Sequence, residues 1–140
     1  WSLDNELLFF FCVEVGYLVL LYVLLGVQGL IFGVLIALVA VLLLETINYI
    51  EHYGLVRRKV NDRYERVTPA HSWNSNHVIG RMVLYELTRH SDHHHRASKK
   101  YQILESIESS PQLPFGYTTC MVLSLITPLW FRIMNSRISY

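Results

Sequence analysis

An all-α integral membrane fold is predicted, with a transmembrane helical hairpin followed by a cytoplasmic, histidine-bearing helical region. Three observations carry it. From Leu7 to Leu44 the only ionisable side chains are Cys12, Glu14, Tyr17 and Tyr22. All 12 Lys and Arg residues lie after residue 56, so residues 1–56 carry −5 and the remainder +6 of the net +1. Four of the seven histidines fall in one short string, His90-Ser-Asp-His93-His94-His95.

The apolar run comes first. A helical crossing of a bilayer core takes about 20 apolar residues, so this run is too long for one span and suits two. Gly26-Val-Gln-Gly29 supplies the turn, which predicts an antiparallel pair over Leu7–Leu25 and Leu30–Ile47. The remaining residues are too few and too polar to bury such a pair as soluble core helices. The stretch is also too long for a signal peptide and has no basic residue before it. Arg57, Arg58, Lys59, Arg63 and Arg66 follow directly. The positive-inside rule then puts this end on the cytoplasmic side of an inner membrane. Cys12 and Cys120 both sit in apolar runs of a reducing compartment, so no disulfide is expected. The chain thus divides into residues 1–52, the hairpin running into a first histidine motif, and residues 53–140, a metal-site region with a C-terminal interfacial helix.

Beyond the membrane the second span continues as helix, with Glu45, Asn48 (or Tyr49) and His52 on one stripe. A carboxylate, an amide and an imidazole on one face are costly to bury unless they satisfy one another or bind something. Gly54 is placed to stop the helix. Residues 56–67 read as a small β-hairpin turning at Asn61-Asp62 and ended by Pro69. His71-Ser-Trp-Asn-Ser-Asn-His77 is a loop in which Ser75 or Asn76 caps the next helix. That helix is expected from about His77 to about His95, with Val83, Leu87, His90 and His94 on one face. Arg96-Ala-Ser-Lys-Lys100 ends it with positive charge, and Pro111–Tyr117 is a loop. The run Cys120 to Phe131 is too short to span, contains Pro128 and ends in Trp130 and Arg132, which fits an interfacial helix. The basic residues are not interleaved with aromatics, so no nucleic-acid partner is expected.

His90, His93 and His94 stand at i, i+3 and i+4, so three imidazoles converge from one helix face. The alternative is a solvated histidine run that binds metal only adventitiously. Glu86 and Asp92 are either carboxylates that take an imidazole N–H and fix its tautomer, or surface acids paired with Arg89 or Arg96. Structural zinc in a reducing compartment usually recruits cysteine, and a zinc hydrolase carries HExxH or a similar unit. Neither Cys12 nor Cys120 has a second thiol or a histidine near it in sequence, and no HExxH unit occurs. Attack on an unactivated C–H bond needs a redox metal and O₂, which suits non-haem iron facing a substrate too apolar for water.

Asn48-Tyr-Ile-Glu-His-Tyr-Gly-Leu55, Ser72-Trp-Asn-Ser-Asn76, Arg89-His-Ser-Asp-His-His94 and Leu113-Pro-Phe-Gly-Tyr117 together resemble the membrane-bound alkane 1-monooxygenases. These are the non-haem diiron hydroxylases fed by rubredoxin. The resemblance covers about Glu45 to about Arg132. It implies that His52, His90, His93 and His94 are iron ligands, with no catalytic group beyond them. It implies hydroxylation of a medium- or long-chain alkane at its terminal carbon, with O₂ and electrons from reduced rubredoxin. Glu45, Asn48, Glu51, Glu86 and Asp92 are the side chains expected to support those ligands. His95 extends the string where the family pattern has a small residue and is not counted as a ligand. His71 and His77 are expected to make structural hydrogen bonds near the site.

The departure from the family that matters most is in its histidine boxes. Its members carry further histidine boxes, of the HExxxHK and EHxxxHH kinds, on earlier helices, whereas the first 51 residues here contain no histidine. The resemblance is therefore to a C-terminal portion, which is expected to lack hydroxylase activity until helices bearing the missing boxes are supplied. Two other readings stay open. One is another histidine-box membrane enzyme, a desaturase or a hydroxylase acting on an aromatic methyl or fatty acyl group, to be separated by product analysis. The other is a non-catalytic membrane metal-binding module, to be separated by whether iron or only zinc is bound.

Overall fold

A computed structural model describes residues 5–138; the extreme ends of both predicted regions, 1–4 and 139–140, lie outside the described residues. The chain divides into two compact units, Trp1–Leu44 and Glu45–Tyr140.

The first unit consists of most of helix α1 (Glu6–His52), whose mean hydropathy reaches 2.8 and which is long and apolar enough to cross a membrane. Leu, Val, Ile and Phe side chains all along it are exposed rather than packed inward, so its apolar surface calls for a non-aqueous neighbour. The predicted four-residue turn contracts to a single residue. Gly26 alone leaves helical geometry, at φ 66° and ψ −162°, a conformation open to glycine because it has no Cβ. Beyond it a Cβ on Gly33 would lie 2.4 Å from Leu21 Cδ1 and 3.5 Å from Leu18 Cδ2. Residues so far apart would be about 18 Å apart along a straight helix, so Gly26 redirects the chain.

The second unit has a true core. Ile47 and Ile50 from the last turns of α1 pack with Trp73, Leu113, Tyr117, Cys120, Trp130 and Met134. The helix ends at His52, as expected, with Gly54 in the left-handed region at φ +69° and Leu55 N–H returning to the His52 carbonyl at 3.2 Å. The β-hairpin forms where predicted: β1 (Lys59–Val60) pairs antiparallel with β2 (Arg63–Tyr64). Asn61 and Asp62 at φ 48° and 66° make the two-residue turn whose twist matches its strands. A 3-10 turn, Pro69–His71, then leads into residues 72–76, where Asn74 forms a parallel bridge with Gln112.

The long helix predicted over His77–His95 is not formed. It is replaced by two short helices, α2 (Val78–Val83) and α3 (His90–His95). Between them Tyr85 and Glu86 take positive φ, 50° and 62°. The Glu86 N–H returns to the Arg81 carbonyl at 2.9 Å, and the Glu86 carboxylate accepts both Arg81 Nε and Nη2 at 2.8 Å. The bend turns Leu84 and Leu87 against the core. Neither Ser75 nor Asn76 caps α2; His77 occupies that position without a side-chain cap. Ser75 N–H instead donates to the Thr88 carbonyl at 2.9 Å and Asn76 to Ser106 Oγ at 2.7 Å. The expected C-terminal interfacial helix is likewise two, α4 (Tyr117–Leu125) and α5 (Thr127–Met134), parted at Ile126 just before Pro128.

Candidate metal centre

The site lies wholly within the second unit. α1 delivers His52 on its last turn, and the ring is oriented by its far nitrogen: His52 Nδ1 lies 3.2 Å from the His71 carbonyl. A carbonyl only accepts, so Nδ1 carries the proton and Nε2 presents a lone pair. α3 delivers His90 and His94 from one face. It is only 6 residues long and its N-cap, Arg89, makes no side-chain cap. Instead Asn74 reaches across, its Oδ1 accepting the buried Ser91 N–H at 2.9 Å while its Nδ2 donates to Ser110 Oγ at 2.7 Å.

His52, His90 and His94 each offer one nitrogen, all within 4.8 Å of one another. His90 Nε2 lies 3.2 Å from His52 Nε2. Two imidazoles on one ion at metal–nitrogen distances of about 2.0–2.1 Å stand about 3.0–3.4 Å apart, so the pair is spaced for a shared ion. The His90 and His94 rings meet edge to face at 4.3 Å between centroids. The His93 ring lies 6.0 Å from His90 and 5.8 Å from His94, beside the trio but outside the group of three converging nitrogens.

Glu51 brings a carboxylate to the same point: its Oε2 is 3.2 Å from His90 Nε2, and the residue is 1% exposed. Its Oε1 is buried without a hydrogen bond, as is His90 Nδ1. Burial pushes the Glu51 carboxyl up to about 8, opposed by the Tyr117 hydroxyl beside it. Burial also drives His90 down to about 3, with His94, His52 and His93 adding repulsion. His94 is lowered by burial first and then by His52 and His93. Burial and mutual repulsion thus favour the neutral forms of His90 and His94. A bound cation would supply the positive charge that a buried Glu51 carboxylate lacks. The donor set thus fits a metal ion.

The other predicted residues are placed differently. Glu45 and Asn48 are exposed on α1. Glu86 is engaged by Arg81 and, at 3.3 Å, by Arg89, and does not stand one turn before His90 on a common helix. Asp92 accepts from Lys99 Nζ at 2.7 Å and from Glu105 N–H at 2.8 Å, bracing α3 rather than an imidazole. His95 and His77 are exposed, His77 standing against Gly116. Tyr117 and Asn74 escaped the sequence reading as site residues. Both lie inside strings it had singled out, and that was the available signal.

A family model described as fatty acid desaturase matches residues 4–133. Among curated relatives, alkane 1-monooxygenase 2 of Alcanivorax borkumensis is 51% identical over 98% of this chain and 36% of its own length. Alkane 1-monooxygenase 1 of Pseudomonas aeruginosa is 48% identical over 96% of the chain and 36% of its length. The xylene/toluene monooxygenase hydroxylase component of Pseudomonas putida is 30% identical over 96% of the chain and 35% of its length. The chain thus spans about a third of the length of these relatives. With the match running from before the long apolar helix through the histidine cluster to α5, the chain belongs to the fatty acid desaturase family.

Proposed function

We propose that this chain is part of a membrane-bound monooxygenase that hydroxylates medium- or long-chain alkanes to 1-alkanols, using O₂ and electrons from reduced rubredoxin. The observation that carries this reading is the convergence of His52, His90 and His94 nitrogens within 4.8 Å beside buried Glu51. The names of the relatives supply the reaction class.

In this reading the metal would be non-haem iron, which His52, His90 and His94 would hold. His93, beside the trio, would serve a second ion together with ligands from helices bearing the remaining histidine boxes. Iron held there would supply the redox chemistry that reduction of O₂ and hydroxylation of an unactivated C–H bond require. The chain's own residues do the rest. His52 presents its Nε2 lone pair, Glu51 places a carboxylate against His90, and the buried Tyr117 hydroxyl stands beside Glu51. The residues up to 52 form the transmembrane hairpin turning at Gly26, in an inner membrane, and residues 53–140 form the cytoplasmic site region with α4 and α5 at the interface. Alkane and O₂ reach the site from the lipid side and rubredoxin from the cytoplasm.

The test begins with the metal content of detergent-purified protein and of the variant carrying H90A, H93A and H94A. Iron in the parent that is lost in the variant is the expected result. Zinc retained by both would remove the histidine cluster as the ligand set. The relative that acts on xylene and toluene by name favours a second reading, an aromatic methyl substrate. Product analysis with octane and with xylene, in a protein carrying the remaining boxes and supplied with rubredoxin and its reductase, separates the two.

A further inference from the structure

His71, for which sequence reasoning offered only an unspecified structural hydrogen bond, sits in a chain of contacts that ends on a ligand. Thr68 N–H donates to His71 Nδ1 at 2.9 Å and the Thr68 hydroxyl reaches the same atom at 3.0 Å. Nδ1 is thereby an acceptor, so the proton of the neutral ring is on Nε2. That nitrogen lies 3.2 Å from Glu65 Oε1. The same carboxylate oxygen accepts the Arg58 N–H at 2.8 Å, and the Glu65 carbonyl accepts Arg57 Nε at 2.9 Å. Glu65 is thus tied to the irregular segment that precedes β1, and its carboxylate grips the imidazole of the 3-10 turn Pro69–His71. The carbonyl of that same residue, His71, receives His52 Nδ1 at 3.2 Å.

We propose that Glu65 and His71 are positioning residues for the metal centre: together they hold the His71 carbonyl where it selects the Nδ1–H tautomer of His52 and aims Nε2 at His90. This rests on the metal-site reading above and adds to it an orienting relay from the β-hairpin. Every link is a directional hydrogen bond with a unique assignment of donor and acceptor. Among the described residues the His90 ring has no counterpart to this relay, since its Nδ1 is buried without a hydrogen bond. Partners that fix a ligand's tautomer typically change metal affinity by about 10–100-fold when lost.

Substitutions at the two positions separate geometry from charge. H71L removes the acceptor for Thr68 N–H and the donor to Glu65. H71Q restores the acceptor, since Gln at the third position of such a turn closes the same reciprocal cap. E65A removes the grip, whereas E65Q keeps the acceptor oxygen without the charge. Two readouts are taken on the whole chain in detergent. Co(II) titration is expected to show affinity about 10–100-fold weaker in H71L and E65A and close to the parent in H71Q and E65Q. Nitrogen-15 correlation spectra of labelled histidine, with H52N to identify the resonance, are expected to show His52 protonated on Nδ1 in the parent. In H71L and E65A they are expected to show a mixture of tautomers. Glu65 is on the surface side of the relay, so E65A tests it even if H71L fails to fold. A parent that binds no metal overturns the metal-site reading, while the tautomer spectrum still decides the relay. A parent that binds Co(II), with E65A and H71L matching it in affinity and in His52 tautomer, overturns the relay alone.

Discussion

α1 and α3 bring imidazoles to the same point by opposite means. α1 runs as helix from beyond its break at Gly26 to His52, which it places on its final turn, where one hydrogen bond to the His71 carbonyl orients the ring. α3 has 6 residues, far short of the length at which a helix holds itself, yet it supplies two of the three converging nitrogens. Its N-terminal turn is held from outside, by Asn74 on the Ser91 amide and by Lys99 and Glu105 on Asp92. A long helix thus needs help only at its tip. A short one takes its whole position from the loops around it, so the rigidity of the site resides in residues 71–76 and 99–110 as much as in helices.

Changes that break this comparison rank in size. The largest effect is expected at the point both helices share. H90Q should abolish specific metal binding, with affinity falling by more than about 100-fold, while the melting temperature of metal-free protein changes little. Metal titration with parallel thermal melts checks both halves.

Next comes the external support of α3. Asn74 is fully buried and serves one acceptor and one donor role, so N74A leaves Ser91 N–H without its partner. A cost of about 1–3 kcal/mol is expected, with metal affinity falling as α3 loses its position. N74D, which keeps the oxygen facing Ser91, should recover part of both. Denaturation and metal titration of the two variants read this out. Equal stability of parent and N74A would mean that α3 needs no outside cap.

The end of α1 offers the matching change on the other side. Gly54 is at φ +69° and an added Cβ would lie 2.1 Å from Ile138 Cδ1. G54A is therefore expected to cost about 1–3 kcal/mol and to displace His52, lowering metal affinity less than H90Q does.

The smallest effect is expected at Glu86, which the structure gives to Arg81 and Arg89. The Arg81 hydrogen bond, ahead of opposing burial, holds its carboxyl below the ordinary range. A carboxyl lowered in the folded state contributes stability above its unfolded pKa and loses it as pH falls through its folded one. E86Q should therefore flatten a small acid-side loss of stability, below about 1 kcal/mol for so accessible a pair, and leave metal affinity unchanged. A drop in affinity would restore Glu86 as an imidazole partner.

What was legible in the sequence was local. The apolar length of α1, the break at Gly26, the stop at Gly54 and the Asn61-Asp62 turn each follow from side chains acting on their own backbone. The histidine string was legible too, as donors at helical spacing. The extent of the helix carrying it was not. Residues 77–95 have good helical period, but the bidentate grip of Glu86 on Arg81 and the pull of Leu84 and Leu87 into the core turn the backbone left-handed at Tyr85 and Glu86. Local periodicity cannot weigh contacts to residues distant in the chain.

The same reason governs the site. Sequence alone determined that this chain carries imidazoles enough for a metal and a helix apolar enough for a membrane. Only the tertiary structure decided that Glu51 rather than Glu86 stands against His90, that Asn74 anchors α3, and that His52 meets partners 38 residues away. Composition dictates which groups must be satisfied, whereas the packing of one core around Trp73, Tyr117 and Trp130 dictates which group satisfies which.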